Sequence, residues 1–126
     1  AALTPASIVS IAYRLRNLIR RDMLEALSKH DVLVYPGAAG PAPKIVPASK
    51  STDKDKTLDR MLNSPNLTSA SNYVGVPSMV LPCGFSSAGL PLGLQITGGM
   101  FQEATVLKVG HAYQAVTNWH MQVPQL

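Results

Sequence analysis

The apolar residues Ile8, Ile11, Ala12, Leu15, Leu18, Ile19, Met23, Ala26 and Leu27 recur at steps of three and four. That spacing lays one apolar stripe along an amphipathic helix of about six turns. Thr4 and Pro5 precede it as an N-cap and a proline at the first helical position. Lys29-His30 ends it, with basic side chains at the negative end of the helix dipole. The period then changes. Asp31-Val32-Leu33-Val34-Tyr35 is short, apolar and β-branched, and Pro36-Gly37 closes it, which reads as a buried strand. A helix leading straight into a buried strand suggests a layered α/β arrangement.

Residues 37–57 differ in kind. Pro41, Pro43 and Pro47 break any helix, and the stretch from Ser49 to Lys56 is polar and charged, so a long surface loop is expected. A helical turn is expected over residues 57–62. A short helix follows over residues 66–74, capped by Asn66 or Ser64 and stopped by Gly75, which can take a left-handed conformation that other residues resist. Ser78-Met79-Val80-Leu81-Pro82 and Leu92-Gly93-Leu94-Gln95-Ile96-Thr97 read as two strands. The turn-rich Gly84-Phe85-Ser86-Ser87-Ala88-Gly89 between them makes a hairpin-like connection. Gly93 inside the second strand points to close approach by another backbone. Gly98-Gly99 ends that strand, residues 103–117 read as a helix, and Trp119-His120 begins a packed tail.

These elements imply more protein than they contain. The strands have no wet face, so Val32 to Val34 and Ser78 to Leu81 suit a larger sheet buried on both sides. Of the 126 residues 46% are hydrophobic, near the globular average, but only 14% are charged. A small domain has much surface to cover, and so few charges suggest that other protein covers part of it. Residue 1 is Ala, followed at once by a helix-start signal, and the chain is expected to begin mid-protein.

The net charge of +4 is concentrated at Arg14, Arg16, Arg20 and Arg21 and at Lys44, Lys50, Lys54 and Lys56. Few aromatic residues interleave with these, and Asp22, Glu25, Asp53 and Asp55 sit among them. The pattern reads as solvated surface, and no nucleic-acid partner is expected. One cysteine excludes an internal disulfide and a thiolate zinc site, and fits a cytoplasmic setting. No apolar run reaches membrane-spanning length, so no membrane partner is expected.

Candidate chemistry is thin. Cys83 ends a strand, but nothing near it in sequence lowers a thiol pKa, and it reads as a small packed residue. Ser86-Ser87 lies in a turn without a neighbouring lysine. His30, His111 and His120 lack metal-ligand spacing, so no metal site is expected.

Three stretches together resemble the end of amidase-signature enzymes. Asp31-Val32-Leu33-Val34-Tyr35-Pro36, with Pro41 and Ala42 beyond, is similar to the family's DvLltPt…pA. Thr68-Ser69-Ala70-Ser71-Asn72-Tyr73-Val74-Gly75-Val76-Pro77-Ser78 is similar to T…N…G.Pa. Pro82-Cys83-Gly84-Phe85, then Gly89-Leu90-Pro91-Leu92-Gly93-Leu94-Gln95, is similar to P.G…GLPvGlQ. Phe101-Gln102-Glu103 and the stretch from Tyr113 to His120 with Pro124 resemble the family's usual ending.

The resemblance implies that residues 1–126 are the C-terminal portion of a single amidase domain, a mixed β-sheet covered by helices. It implies an enzyme that hydrolyses an amide with a Ser–cis-Ser–Lys triad and an oxyanion hole, without a cofactor. No stretch here matches the triad, so no catalytic residue is assigned to this chain. Pro36, Thr68 and Asn72 are the expected substrate-side residues. The implied partners are the N-terminal remainder of the domain and a small-molecule amide, and a homodimer is compatible. The related A subunit of the glutamine-dependent transfer-RNA amidotransferase is the alternative. Its members tend to carry an acidic residue three positions before the threonine of the second motif, holding the substrate's amino group. Pro65 stands there and cannot pair with an ammonium, which favours a general amidase. A non-catalytic truncated module is a further alternative.

Overall fold

A computed structural model describes residues 4–44 and 68–123. The expected turn over residues 57–62, the caps Asn66 and Ser64 and most of the proline-rich loop lie outside these residues. The described elements run α1 (Ala6–Lys29), β1 (Val32–Pro36), α2 (Ser69–Val74), β2 (Ser78–Phe85), β3 (Pro91–Gly98), α3 (Glu103–Ala115) and a single 3-10 turn (Trp119–Met121). Among the described residues no helix is long and apolar enough to cross a membrane.

β3 is the middle strand, with β1 and β2 antiparallel on either side. Val34 and Met79 both pair with Ile96, and Tyr35 and Val80 both pair with Gln95. The described sheet is therefore wholly antiparallel, and a mixed sheet would need strands beyond the described residues. β2 runs past the expected end at Pro82, because the register slips between Pro82 and Gly84 and the chain resumes pairing as far as Phe85. Such a bulge inserts one residue, here Cys83, and bends the strand. The hairpin turn is held by Ser86: its N–H donates to the Leu90 carbonyl at 2.8 Å, and its hydroxyl accepts the Leu90 N–H at 3.1 Å.

Alternation sends the two faces of the sheet to different partners. One face carries Val32, Met79, Leu81 and Ile96, and α3 covers it with Val106, Val109 and Tyr113. Those helical positions fall at three- and four-residue steps, one face of a helix. Two glycines let α3 lie close. A Cβ on Gly110 would overlap Met79 Cε, and one on Gly98 would sit 2.7 Å from Val106 Cγ2. Gly98 therefore does more than end a strand. Gly93 is crowded by a side chain and not by the expected backbone: a Cβ there would sit 3.0 Å from Val80 Cγ1, with the nearest backbone atom, the Leu81 carbonyl oxygen, at 3.9 Å.

The other face presents Tyr35, Gln95, Thr97 and Ser78 toward α2. α1 flanks α2: the Arg16 Nε–H donates to the Tyr73 carbonyl at 2.6 Å, and the Tyr73 hydroxyl donates to the Ala12 carbonyl. Arg20 reaches the Met100 sulfur, so Arg16 and Arg20 link elements instead of forming only a solvated face. Thr4 does not cap α1. Pro5 occupies the cap position, and among the described residues no side chain caps that end. The apolar stripe of α1 is correctly spaced yet contains no buried residue, and Leu15 is 51% exposed.

Candidate functional site

α2 is six residues long, too short to hold its shape unaided. Contacts at its end, its outer side and its inner side hold it. Gly75 stops it in the left-handed region at φ 83°, donating its N–H to the Ser71 carbonyl at 2.8 Å. Arg16 ties its outer side to α1. Its inner side is tied to the sheet through Ser71.

That inner contact is the best-built polar arrangement among the described residues. Gln95 is 2% exposed, Ser71 1% and Thr97 0%. Gln95 Nε2 donates to Ser71 Oγ and to Tyr35 Oη, each at 2.9 Å. The Ser71 hydroxyl donates onward to the Thr68 carbonyl at 3.0 Å. The Tyr35 hydroxyl meets Thr97 Oγ1 at 2.8 Å, and Thr97 Oγ1 meets Ser78 Oγ at 2.8 Å. The amide has two hydrogens, and both are committed. Its oxygen, Oε1, is buried and has no partner among the described residues. Such an orphan acceptor costs about 1–3 kcal/mol. All three neighbouring hydroxyls approach one end of the amide, so turning it over only exchanges which atom is orphaned.

The expected substrate-side residues do not share one cavity. Pro36 helps line a cavity of about 620 Å³ with Tyr35, Pro41, Cys83 and Gly93. Asn72 is exposed and lines a cleft of about 650 Å³ with Ile19, Ser69, Ala70 and Tyr73. Thr68 lines neither; it sits at the start of α2, where its carbonyl receives Ser71. The resemblance singles out Thr68 and Asn72, whose four-residue spacing puts them on one side of the helix, but spacing cannot say which side meets the sheet. Ser71, Gln95, Tyr35 and Thr97 were missed as a group. The available signal was Gln95 itself, a long polar side chain within an apolar strand.

The other candidates have structural occupations. The Cys83 thiol donates to the Leu92 carbonyl at 3.6 Å, beside the bulge. Ser86 holds the hairpin turn. Trp119 meets Phe85 edge-on, with ring centres 6.1 Å apart at 68°. His120 lines a separate cavity of about 360 Å³ with Phe85, Leu90 and Trp119. Among the described residues no group of three His, Cys, Asp or Glu could hold a metal ion.

Comparison with known proteins gives one consistent result. The Amidase family model matches residues 3–107. The A subunit of glutamyl-tRNA(Gln) amidotransferase from Thiobacillus denitrificans is 44% identical over 114 residues, covering 90% of this chain and 22% of that protein. The protein of the same name from Thermosynechococcus vestitus is 40% identical over 117 residues, covering 91% and 23%. Among solved structures, that of the corresponding A subunit from Thermotoga maritima superposes with a TM-score of 0.73 at 26% identity, covering 89% of this chain and 23% of that one. The structure of 6-aminohexanoate cyclic dimer hydrolase complexed with substrate superposes with a TM-score of 0.75 at 28% identity, covering 95% and 26%. The chain thus spans between a fifth and about a quarter of the length of the proteins it matches.

Proposed function

We propose a function from one premise: this chain belongs to the amidase family, whose model it matches over residues 3–107. The proposed activity is hydrolysis of a carboxylic amide to an acid and ammonia or an amine. This chain, as the C-terminal portion of the domain, supplies scaffold and part of the substrate pocket. The nucleophile, relay serine and lysine base come from the remainder of the domain. The observation that carries the reading is the superposition of nearly the whole chain on about a quarter of two larger proteins. Placing the triad elsewhere is supported by the occupations of Cys83 and Ser86, each held in a structural hydrogen bond.

Thr68 and Asn72 are the proposed pocket residues of α2, and Pro36 that of β1. Asn72 is supported by its exposure in the cleft beside Ile19 and Tyr73. Pro36 is supported by its place in the cavity beyond the sheet end.

A second reading is favoured by the names of the relatives: the A subunit of a glutamine-using amidotransferase. Pro65 separates the two readings, because it offers no carboxylate for the ammonium of glutamine. The test is a chimera in which this chain replaces the matching segment of the 44% identical relative. The chimera is expected to release ammonia from simple aryl and aliphatic amides, and the 126-residue chain alone is expected to release none. For glutamine, KM should rise on the order of 30-fold or more over the parent, the effect of removing one partner of a buried charge pair, and Pro65→Asp should restore it. A chimera as good with glutamine as its parent establishes the second reading. A folded chimera without turnover on any amide refutes both.

A further inference from the structure

The amide of Gln95 spends its two hydrogens on two different elements, Tyr35 of β1 and Ser71 of α2. It does so while leaving Oε1 buried and orphaned among the described residues. A strand position that served packing alone would be filled at less cost by an apolar residue, as Ile96 fills the opposite face. The amide therefore does something that burial does not. Its donor end fixes the direction of the next hydrogen bond: with Ser71 Oγ accepting from Gln95, the Ser71 hydroxyl is free to donate only onward, to the Thr68 carbonyl. The run Gln95 to Ser71 to Thr68 thus spans from the middle strand to the first turn of a helix too short to hold its own shape.

We infer that Gln95 is a positioning residue, one that sets the placement of α2 on the sheet and, through it, the placement of Thr68 and Asn72 at the substrate. This rests on the proposed reading that those two residues face the substrate. Gln95 itself touches no substrate. Misplacing α2 loosens substrate binding in ground state and transition state alike, and leaves the reacting bond to residues outside this chain. Such a loss appears in KM, not in kcat.

The test is steady-state amide hydrolysis by the chimera carrying Gln95→Met, Ser71→Ala or both, with a simple aryl amide as substrate. Each single variant is expected to raise KM about three- to tenfold, the worth of one intramolecular hydrogen bond, with kcat within about twofold. The double variant should be no worse than the more severe single one, because both remove the same link. Leu81→Ala, on the opposite face of the sheet, is the control for plain destabilisation, and should lower the unfolding midpoint while leaving KM unchanged. An active chimera in which Gln95→Met and Ser71→Ala leave KM unchanged overturns the inference. So does one in which Leu81→Ala raises KM equally, or in which the two effects multiply. An unaltered chimera with no turnover is a different failure, that of the proposed function.

Discussion

A single methyl at Gly98 should push α3 off the sheet. The Cβ of Gly98→Ala would sit 2.7 Å from Val106 Cγ2, with the Gln102 carbonyl oxygen at 3.4 Å on another side. Reaching ordinary contact requires the two groups to part by roughly 0.7 Å. Val106 cannot swing away, since a β-branched side chain in a helix has one strongly preferred rotamer and this one is buried. The backbone must therefore move, at the usual overpacking cost of about 1–3 kcal/mol. A Cβ on Gly110 would come closer still to its neighbours, the terminal methyl of Met79 first and then Leu81 Cδ1 at 3.2 Å and Met79 Sδ at 3.3 Å, but all are far ends of side chains, and the unbranched Met79 can turn aside. Alanine also gains about 1 kcal/mol of helix propensity there. Gly98→Ala should accordingly be the more damaging change, against the order of the distances. Urea unfolding of the chimera reads both. Val106→Ala should cost about 1.5–2.5 kcal/mol alone and relieve Gly98→Ala when combined, by about 1 kcal/mol or more below the sum. A Gly98→Ala variant as stable as its parent, or a strictly additive double variant, would refute the reasoning.

Two further outcomes are expected. Gly75→Ala should lower stability by about 1–2 kcal/mol and Gly75→Asn by less, because among the described residues the only atom near a Cβ there is an Arg16 nitrogen at 3.5 Å and the cost is one of φ; equal losses in urea unfolding would count against this. Leu15→Glu should reduce binding of the environment-sensitive dye ANS by the isolated chain yet lower the unfolding midpoint of the chimera, since the α1 stripe is exposed here and would be covered by the remainder of the domain; no change in the chimera would mean that the stripe stays wet.

The hairpin, the β1 strand and the last helix were legible from period and punctuation, and their observed bounds differ from the expected ones by a few residues. What escaped was decided by contacts between elements. The stripe on α1 has the spacing of a core-facing helix, but periodicity cannot say what a face packs against, and none of its residues is buried among the described residues. Cys83 carries no local signal of a bulge; only the partner strand reveals that Gly84 resumes the register at Leu92. Gly98 reads as a stop signal along the chain, while its lack of a side chain is needed by Val106, eight residues on. The family motif drew attention to Thr68 and Asn72, yet it is Ser71 of α2 that hydrogen-bonds to the sheet. Six residues are too few for a periodic pattern to fix which side faces inward.

The sheet joins two very different sequence separations, and this gives its assembly an order in time. β2 and β3 are joined by a tight turn and α3 follows immediately, so their contacts close short loops. β1 must find β3 across a much longer stretch, a sequence separation of 62 for the hydrogen-bonded Tyr35 and Thr97. Hairpins close in about 1–10 μs, and the entropy lost on closing a loop grows with its length. By loop length alone, the hairpin with α3 is expected to form before β1 docks on it. Gln95 stands on the strand expected to form first, and its amide hydrogens exchange water for Tyr35 and Ser71 when those residues dock.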